Sequence, residues 1–180
     1  MRRAIIRLSD ELDLGCRVAA VACFAAMLVL VSIQVVARYV LQAPPIWTEE
    51  LARFAMIWGG LLGATASFKS RFDPVLIKPS AEDHPALARG KQVLRTLAVV
   101  IFMGPILYYS VFGPGMNPAR GFLGRSALRT ADTLGFPMIY MALAVPLAAL
   151  VILIHLAARL SGDESPAAAS AGRDPDPTRN

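Results

Sequence analysis

The sequence contains few of the residues from which enzymes build catalytic and metal sites, because its 180 residues include only two cysteines and two histidines. Cys16 and Cys23 cannot form a metal site by themselves, so we interpret them as small apolar packing residues. No nucleophile has a nearby histidine base and a third orienting group, and no glycine-rich loop is suited to holding a phosphate. The sequence therefore predicts no catalytic residue, no cofactor and no metal site, and we do not expect an enzyme.

Charged residues are also scarce, at 17% of the chain, whereas hydrophobic residues make up 56% and the mean hydropathy is +0.53. Such a composition is more apolar than that of an ordinary soluble domain, and the apolar residues are gathered into four long runs. In lipid every backbone amide needs an internal partner, so these runs are expected to be helices. We predict an all-α integral membrane protein whose membrane domain, residues 18–158, has four transmembrane helices at about 18–38, 46–68, 93–112 and 134–158. Local bends rather than helix ends are expected at Gly104, Pro105, Pro137 and Pro146.

The two ends of the chain have a different character. In residues 1–17, Ile5, Leu8 and Leu12 follow a helical spacing among charged residues, which predicts an amphipathic helix on the membrane surface. A secretory signal peptide is the alternative, but the apolar run that follows has about twenty residues and exceeds the usual 7 to 15. Residues 159–180 hold few large apolar side chains and are predicted to be a disordered cytoplasmic tail.

The distribution of lysine and arginine predicts the orientation. The amino-terminal segment, the middle loop and the tail together carry thirteen of these residues, whereas the first and last loops carry five. Since basic residues near helix ends resist translocation, both termini are predicted to be cytoplasmic. The same distribution, spread over loops beside the spans, explains the pI of about 9.7 without a nucleic-acid surface.

The most informative segment is the predicted corner between the first two helices. Pro44 and Pro45 favour a turn, and the acids Glu49 and Glu50 fall in the first turn of the next helix, where they complement its dipole. Glu49 and Arg53 have the spacing of an ion pair, and closure of the hairpin would bring Arg38 to the acidic pair. A structural or subunit-contact role is predicted for Gln34, Arg38, Tyr39, Trp47, Glu49, Glu50, Arg53 and Trp58. The alternative is that one of the acids binds a transported proton or cation.

Two further features have a structural interpretation. Small residues on the second helix, from Gly59 and Gly60 to Gly63, create a surface that another helix can approach closely. His155 is a conceivable haem ligand, but the only other histidine, His84, lies in the middle loop.

The corner residues, together with Thr48, resemble the small-permease (Q) subunit of TRAP transporters, the DctQ-like family. The resemblance extends from helix 1 to helix 4 and includes Gly63–Ala64, Ser126–Leu128, Pro137 and Tyr140. The family often has a Gly-x-His-Ile element after helix 2, whereas this chain has Phe72 and Asp73 there.

This resemblance implies two partners: the large multi-helix permease (M) subunit, and an extracytoplasmic substrate-binding (P) protein that delivers an organic acid such as a dicarboxylate. It implies sodium-coupled symport across the bacterial inner membrane, with the substrate and sodium sites in the large subunit and this chain as part of the fixed scaffold. Two other functions are considered: an autonomous proton-coupled exporter built from four-helix chains, and the membrane anchor of a redox complex.

Overall fold

Four long helical segments dominate the fold. The computed structural model describes residues 2–70 and 85–162. Its helices are α1 (Arg2–Tyr39), α2 (Ile46–Ser70), α3 (Pro85–Val111), α4 (Phe122–Ala127), α5 (Ile139–Ala142) and α6 (Ala144–Leu160), with a 3-10 turn at Pro118–Arg120. Within these two ranges there is no strand beyond an isolated bridge between Thr130 and Pro137. Four segments are long and apolar enough to cross a membrane, so the predicted all-α membrane fold is confirmed.

Helix α1 is longer than expected. It has 38 residues, which corresponds to about 57 Å and is nearly twice the thickness of a hydrocarbon core. Residues 2–17, predicted as a separate segment, continue directly into the first span, because Gly15 alone does not interrupt a helix whose neighbours favour it. An orientation of this segment along the membrane surface stays a prediction.

The packed side of this first segment is partly polar. The buried stripe of α1 contains Ser9, Asp13 and Cys16. Leu8, one of the residues of the predicted membrane-facing side, is 51% exposed. Ser9 turns inward toward Lys69 of α2 and His155 of α6, whereas Asp13 pairs with Arg17 of α1 itself. Apolar side chains can face lipid at no cost. The inward side of this segment is therefore partly polar, while most of its charged residues remain exposed.

The third helix begins eight residues before its predicted start. Pro85 is suited to the first position of a helix, because its missing N–H would have no intrahelical partner there. The helix then continues through Pro105 to Val111, so the prediction that Pro105 does not end it is confirmed.

The fourth span begins later than predicted. Gly135 has a φ of +67°, and the amide of Ala131 donates to the carbonyl of Phe136 at 2.8 Å, which makes residues 130–138 a compact turn. Helix α5 begins only after Pro137, so the expectation of a mere bend at this proline is wrong. A second interruption at Leu143 separates α5 from α6, because Pro146 has no N–H for the carbonyl four residues earlier.

Helix α6 is the centre of the packing. In the most apolar part of the span Ile139–Leu160, which combines α5 and α6, 56% of the residues are buried, against 6% for α1, 11% for α2 and 6% for α3. Small residues such as Ala148, Ala149 and Ala158 allow the other long helices to approach it. The outer faces of α1 and α3 consequently present large apolar side chains to their surroundings. The predicted tail lies outside the described residues from position 163 onward, as does the segment with Phe72, Asp73 and His84.

Candidate functional site

The turn between α1 and α2 brings the predicted corner residues to one end of the bundle. The amide of Ala43 donates to the carbonyl of Ala37 at 3.1 Å, and Gln42 adopts a φ of +53°. Thr48 is completely buried, and its hydroxyl donates to the carbonyl of Pro45 at 2.7 Å. These contacts fix the direction in which α2 leaves the turn. Thr48 was not among the predicted site residues, although its position just before two acids is typical of a helix start.

Glu49 makes the ion pair that its spacing predicts. Its carboxylate accepts a hydrogen bond from the guanidinium of Arg53, one turn later on α2. Gln34 and Arg38 of α1 also interact electrostatically with this carboxylate. Glu49 therefore connects the two helices, but 49% of its side chain remains exposed, so the pair stabilises the corner only weakly.

Glu50 has a different partner from the expected Arg38. One carboxylate oxygen accepts the amide of Asp132 at 3.0 Å, and the other accepts the amides of Thr133 and Leu134 at 3.0 and 3.1 Å. These three consecutive amides form a concave donor set of the kind that binds anions. We call this arrangement the Glu50 clamp. It attaches the start of α2 to the turn before α5, and no ion pair joins Arg38 to Glu50 among the residues that the structure describes.

Aromatic residues extend the corner toward α5. The indole N–H of Trp58 donates to the carbonyl of Tyr140 at 3.1 Å. The rings of Phe54 and Phe136 meet edge to face with centroids 5.2 Å apart, and Phe136 also contacts the ring of Tyr140. The first half of α2 is thereby joined to α5 by polar and aromatic contacts together.

Tyr39 and Trp47 lie on the outside of the corner. Tyr39 is 77% exposed and Trp47 is 43% exposed. Neither ring forms a ring contact with another aromatic residue in the described ranges. Both side chains have the amphipathic character that suits a membrane interface, so the structure assigns them no internal packing role.

An apolar groove runs beside the aromatic contacts. It has a volume of about 610 Å³ and lies between α1, α2 and the turn before α5. Its walls include Leu30, Leu51, Phe54, Trp58 and Tyr140. Because the lining is apolar, the groove is suited to an apolar side chain or a lipid chain and not to a polar substrate.

The glycines of α2 divide between two roles. A Cβ at Gly59 would lie 3.2 Å from the Cβ of Cys23, so this glycine permits the close packing of α1 on α2. A Cβ at Gly60 would meet no atom within 4 Å, and Ala64 is exposed one turn further along. Only part of the predicted small-residue surface is therefore used inside this chain.

A polar network lies at the opposite end of the bundle. The Ser9 hydroxyl is 2.8 Å from Nδ1 of His155, and Nζ of Lys69 donates to Ser9 Oγ at 3.0 Å. Lys69 also forms an ion pair with Asp10. Ser9 and His155 are buried, so the network joins α1, α2 and α6 where water is largely excluded. His155 thus has a structural partner, and no cluster able to hold a metal occurs in residues 2–70 or 85–162.

Comparison with known proteins identifies the family. A family model described as "Tripartite ATP-independent periplasmic transporters, DctQ component" matches residues 27–164, which includes the corner, the Glu50 clamp and all of α6. No match was found among curated proteins. The chain therefore belongs to the DctQ component family of tripartite ATP-independent periplasmic transporters.

Proposed function

We propose that this chain is the fixed scaffold of a TRAP-type importer of an organic acid: it holds the large permease in the membrane and offers its outer loops to the substrate-binding protein. Import is driven by a sodium gradient, and the substrate and sodium sites belong to the large permease. The membrane is the bacterial inner membrane, and both termini are cytoplasmic.

The placement of the carboxylates carries this proposal. The described ranges contain six. Asp10, Glu11 and Asp13 precede the uncharged run of α1 that begins at Val18, Glu49 and Glu50 lie in the first turns of α2, and Asp132 lies in a loop. At the corner, Glu49 is paired with Arg53, and Glu50 is occupied by three backbone amides. A proton or cation carrier needs an accessible acid within the membrane, which disfavours the autonomous exporter.

The exposed apolar surface supports a scaffold role. Few residues in the apolar windows of α1 and α3 are buried within the chain, so their outer faces are available to lipid or to another subunit. A rigid frame needs packed helices and fixed corners, and the Glu50 clamp together with the Ser9 network supplies a fixed point at each end of the bundle.

Coexpression with a large permease tests this role. We expect the two chains to copurify after mild detergent extraction, and uptake of a labelled dicarboxylate or other organic acid to require both chains, the binding protein and sodium. Undiminished uptake in the absence of this chain would contradict the scaffold proposal. Substitution of leucine for Gly60 provides a narrower test, because it adds bulk on an open face of α2 and should reduce copurification if that face contacts the permease.

The outer loops can be tested separately. Arg120, Arg125 and Arg129 are exposed at the end of the molecule that carries the Glu50 clamp. If the binding protein docks there, replacing them with glutamine should raise the concentration of binding protein needed for half-maximal uptake and leave the maximal rate unchanged. A lower maximal rate at unchanged half-saturation would oppose this docking surface.

Labelling of single cysteines tests the orientation. In a chain with Cys16 and Cys23 replaced by alanine, a membrane-impermeant maleimide applied to intact spheroplasts should label Arg125→Cys. It should label Arg3→Cys only after permeabilisation, since the two side chains are exposed at opposite ends. The reverse pattern would overturn the assignment of the termini to the cytoplasm.

A further inference from the structure

A second groove lies at the end of the bundle that carries the termini. It has a volume of about 430 Å³ and runs between α3 and α6. Its walls are formed by Val93, Leu97 and Val100 of α3 and by Leu160 of α6. These side chains are 65%, 52%, 46% and 52% exposed, so no side chain of the described residues fills the space between them.

The polar residues of this groove lie toward one end. Arg89 and Gln92 line it on the first described turns of α3, before the apolar wall begins. The side chain of Arg89 forms no ion pair or hydrogen bond within residues 2–70 and 85–162. Residues 89–100 also include Lys91 and Arg95 and no acid, so this stretch of α3 carries a net positive charge in its sequence. The groove thus has a cationic mouth and an apolar interior.

The length of the groove favours one occupant. From position 89 to position 100 the helix rises by about 16 Å. One leaflet with its headgroup layer is about 20 Å thick, whereas a helix that crosses the hydrocarbon core needs about 30 Å. The groove is therefore confined to a single leaflet, which fits a lipid better than a crossing helix of a partner subunit.

We propose that this groove binds one anionic phospholipid of the cytoplasmic leaflet, with an acyl chain against Val93, Leu97 and Leu160 and the phosphate at Arg89. A basic residue at the headgroup level of a gap between helices is the arrangement by which membrane proteins retain acidic lipids. The site lies at the end opposite to the Glu50 clamp and does not depend on the scaffold role, whereas its assignment to the cytoplasmic leaflet rests on the proposed orientation.

Native mass spectrometry of the purified full-length chain tests this inference. The protein is exchanged into bilayer discs that contain equal amounts of phosphatidylglycerol and phosphatidylcholine, and then released in a mild detergent. We expect one retained phosphatidylglycerol and a preference over phosphatidylcholine of about fivefold, the effect of one basic residue near a charged headgroup. Equal retention of the two lipids, or retention of neither, would overturn the proposal.

Matched variants separate the two parts of the site. Arg89→Gln should abolish the preference for the acidic lipid, whereas Arg125→Gln, an exposed arginine at the other end, should keep it. Leu97→Trp fills the groove and should lower the retention of both lipids; Leu94→Trp, equally exposed on α3 but outside the groove, should not. An unchanged preference in Arg89→Gln would refute the role of the arginine.

Two further measurements test whether a free anion or a partner subunit occupies the groove instead. Inorganic phosphate at millimolar concentration should not displace the phosphatidylglycerol, because it cannot fill the apolar part; displacement would mean that only an anion is bound. The measurement is then repeated on the complex with the large permease. Loss of the lipid on assembly would show that the groove is a subunit contact and would overturn the lipid assignment.

Discussion

Replacement of Ser9 by alanine should destabilise the bundle more than any other loss of a single hydroxyl in α1. Ser9 is completely buried, and its Oγ is bonded both to Lys69 and to His155. A bond between helices in a membrane contributes about 0.6 to 1.7 kcal/mol, and one to a charged donor lies at the upper end of this range. We therefore expect Ser9→Ala to lower the free energy of unfolding by about 2 kcal/mol.

The assay is reversible unfolding of the purified chain by dodecyl sulphate in mixed micelles, followed by circular dichroism. Ser32→Ala is the matched control, because Ser32 is an exposed serine of the same helix. The effect of Ser9→Ala should also shrink in a Lys69→Met background, since the two side chains share a hydrogen bond and their losses do not add. A difference between Ser9→Ala and Ser32→Ala of less than about 0.5 kcal/mol would refute the reasoning.

Two other predictions concern the corner and the hairpin. Glu50→Gln replaces an acceptor oxygen with a donor, so hydrogen exchange at the amides of residues 132–134 should accelerate several-fold. Glu49→Gln is the control and should leave this exchange unchanged. Equal exchange rates in the two variants would argue against the clamp. Gly59→Leu should lower the free energy of unfolding by about 1 to 3 kcal/mol, because the added side chain forces α1 away from α2. Gly60→Leu should not destabilise the isolated chain. Similar losses in the two variants would contradict the packing at Gly59.

The sequence predicts those features that depend on neighbours in the chain. The four spans follow from the lengths of apolar runs, and the Glu49–Arg53 pair follows from a spacing of one helical turn. The interruption near Pro146 also follows locally, because a missing N–H acts on the residue four positions earlier. Such rules relate residues that lie within about one helical turn of each other.

The remaining features depend on packing between distant segments. The amides bound by Glu50 lie 82 to 84 positions away, and His155 lies 146 positions from Ser9. A carboxylate at a corner with two arginines nearby favours an arginine partner in any local analysis. Only the packing of α2 against the turn before α5 presents the amides instead. The inward position of Ser9 has the same origin, because its partners Lys69 and His155 lie on distant helices.

The number of residues between Glu50 and its amide partners also determines when their contact can form during synthesis. During synthesis at about 5 to 20 residues per second, residues 132–134 leave the ribosome several seconds after Glu50. During that interval the carboxylate of Glu50 lacks these amide partners, so this end of the hairpin is completed only when residues 132–134 arrive. A chain truncated before residue 132 would insert its first helices without ever closing this joint.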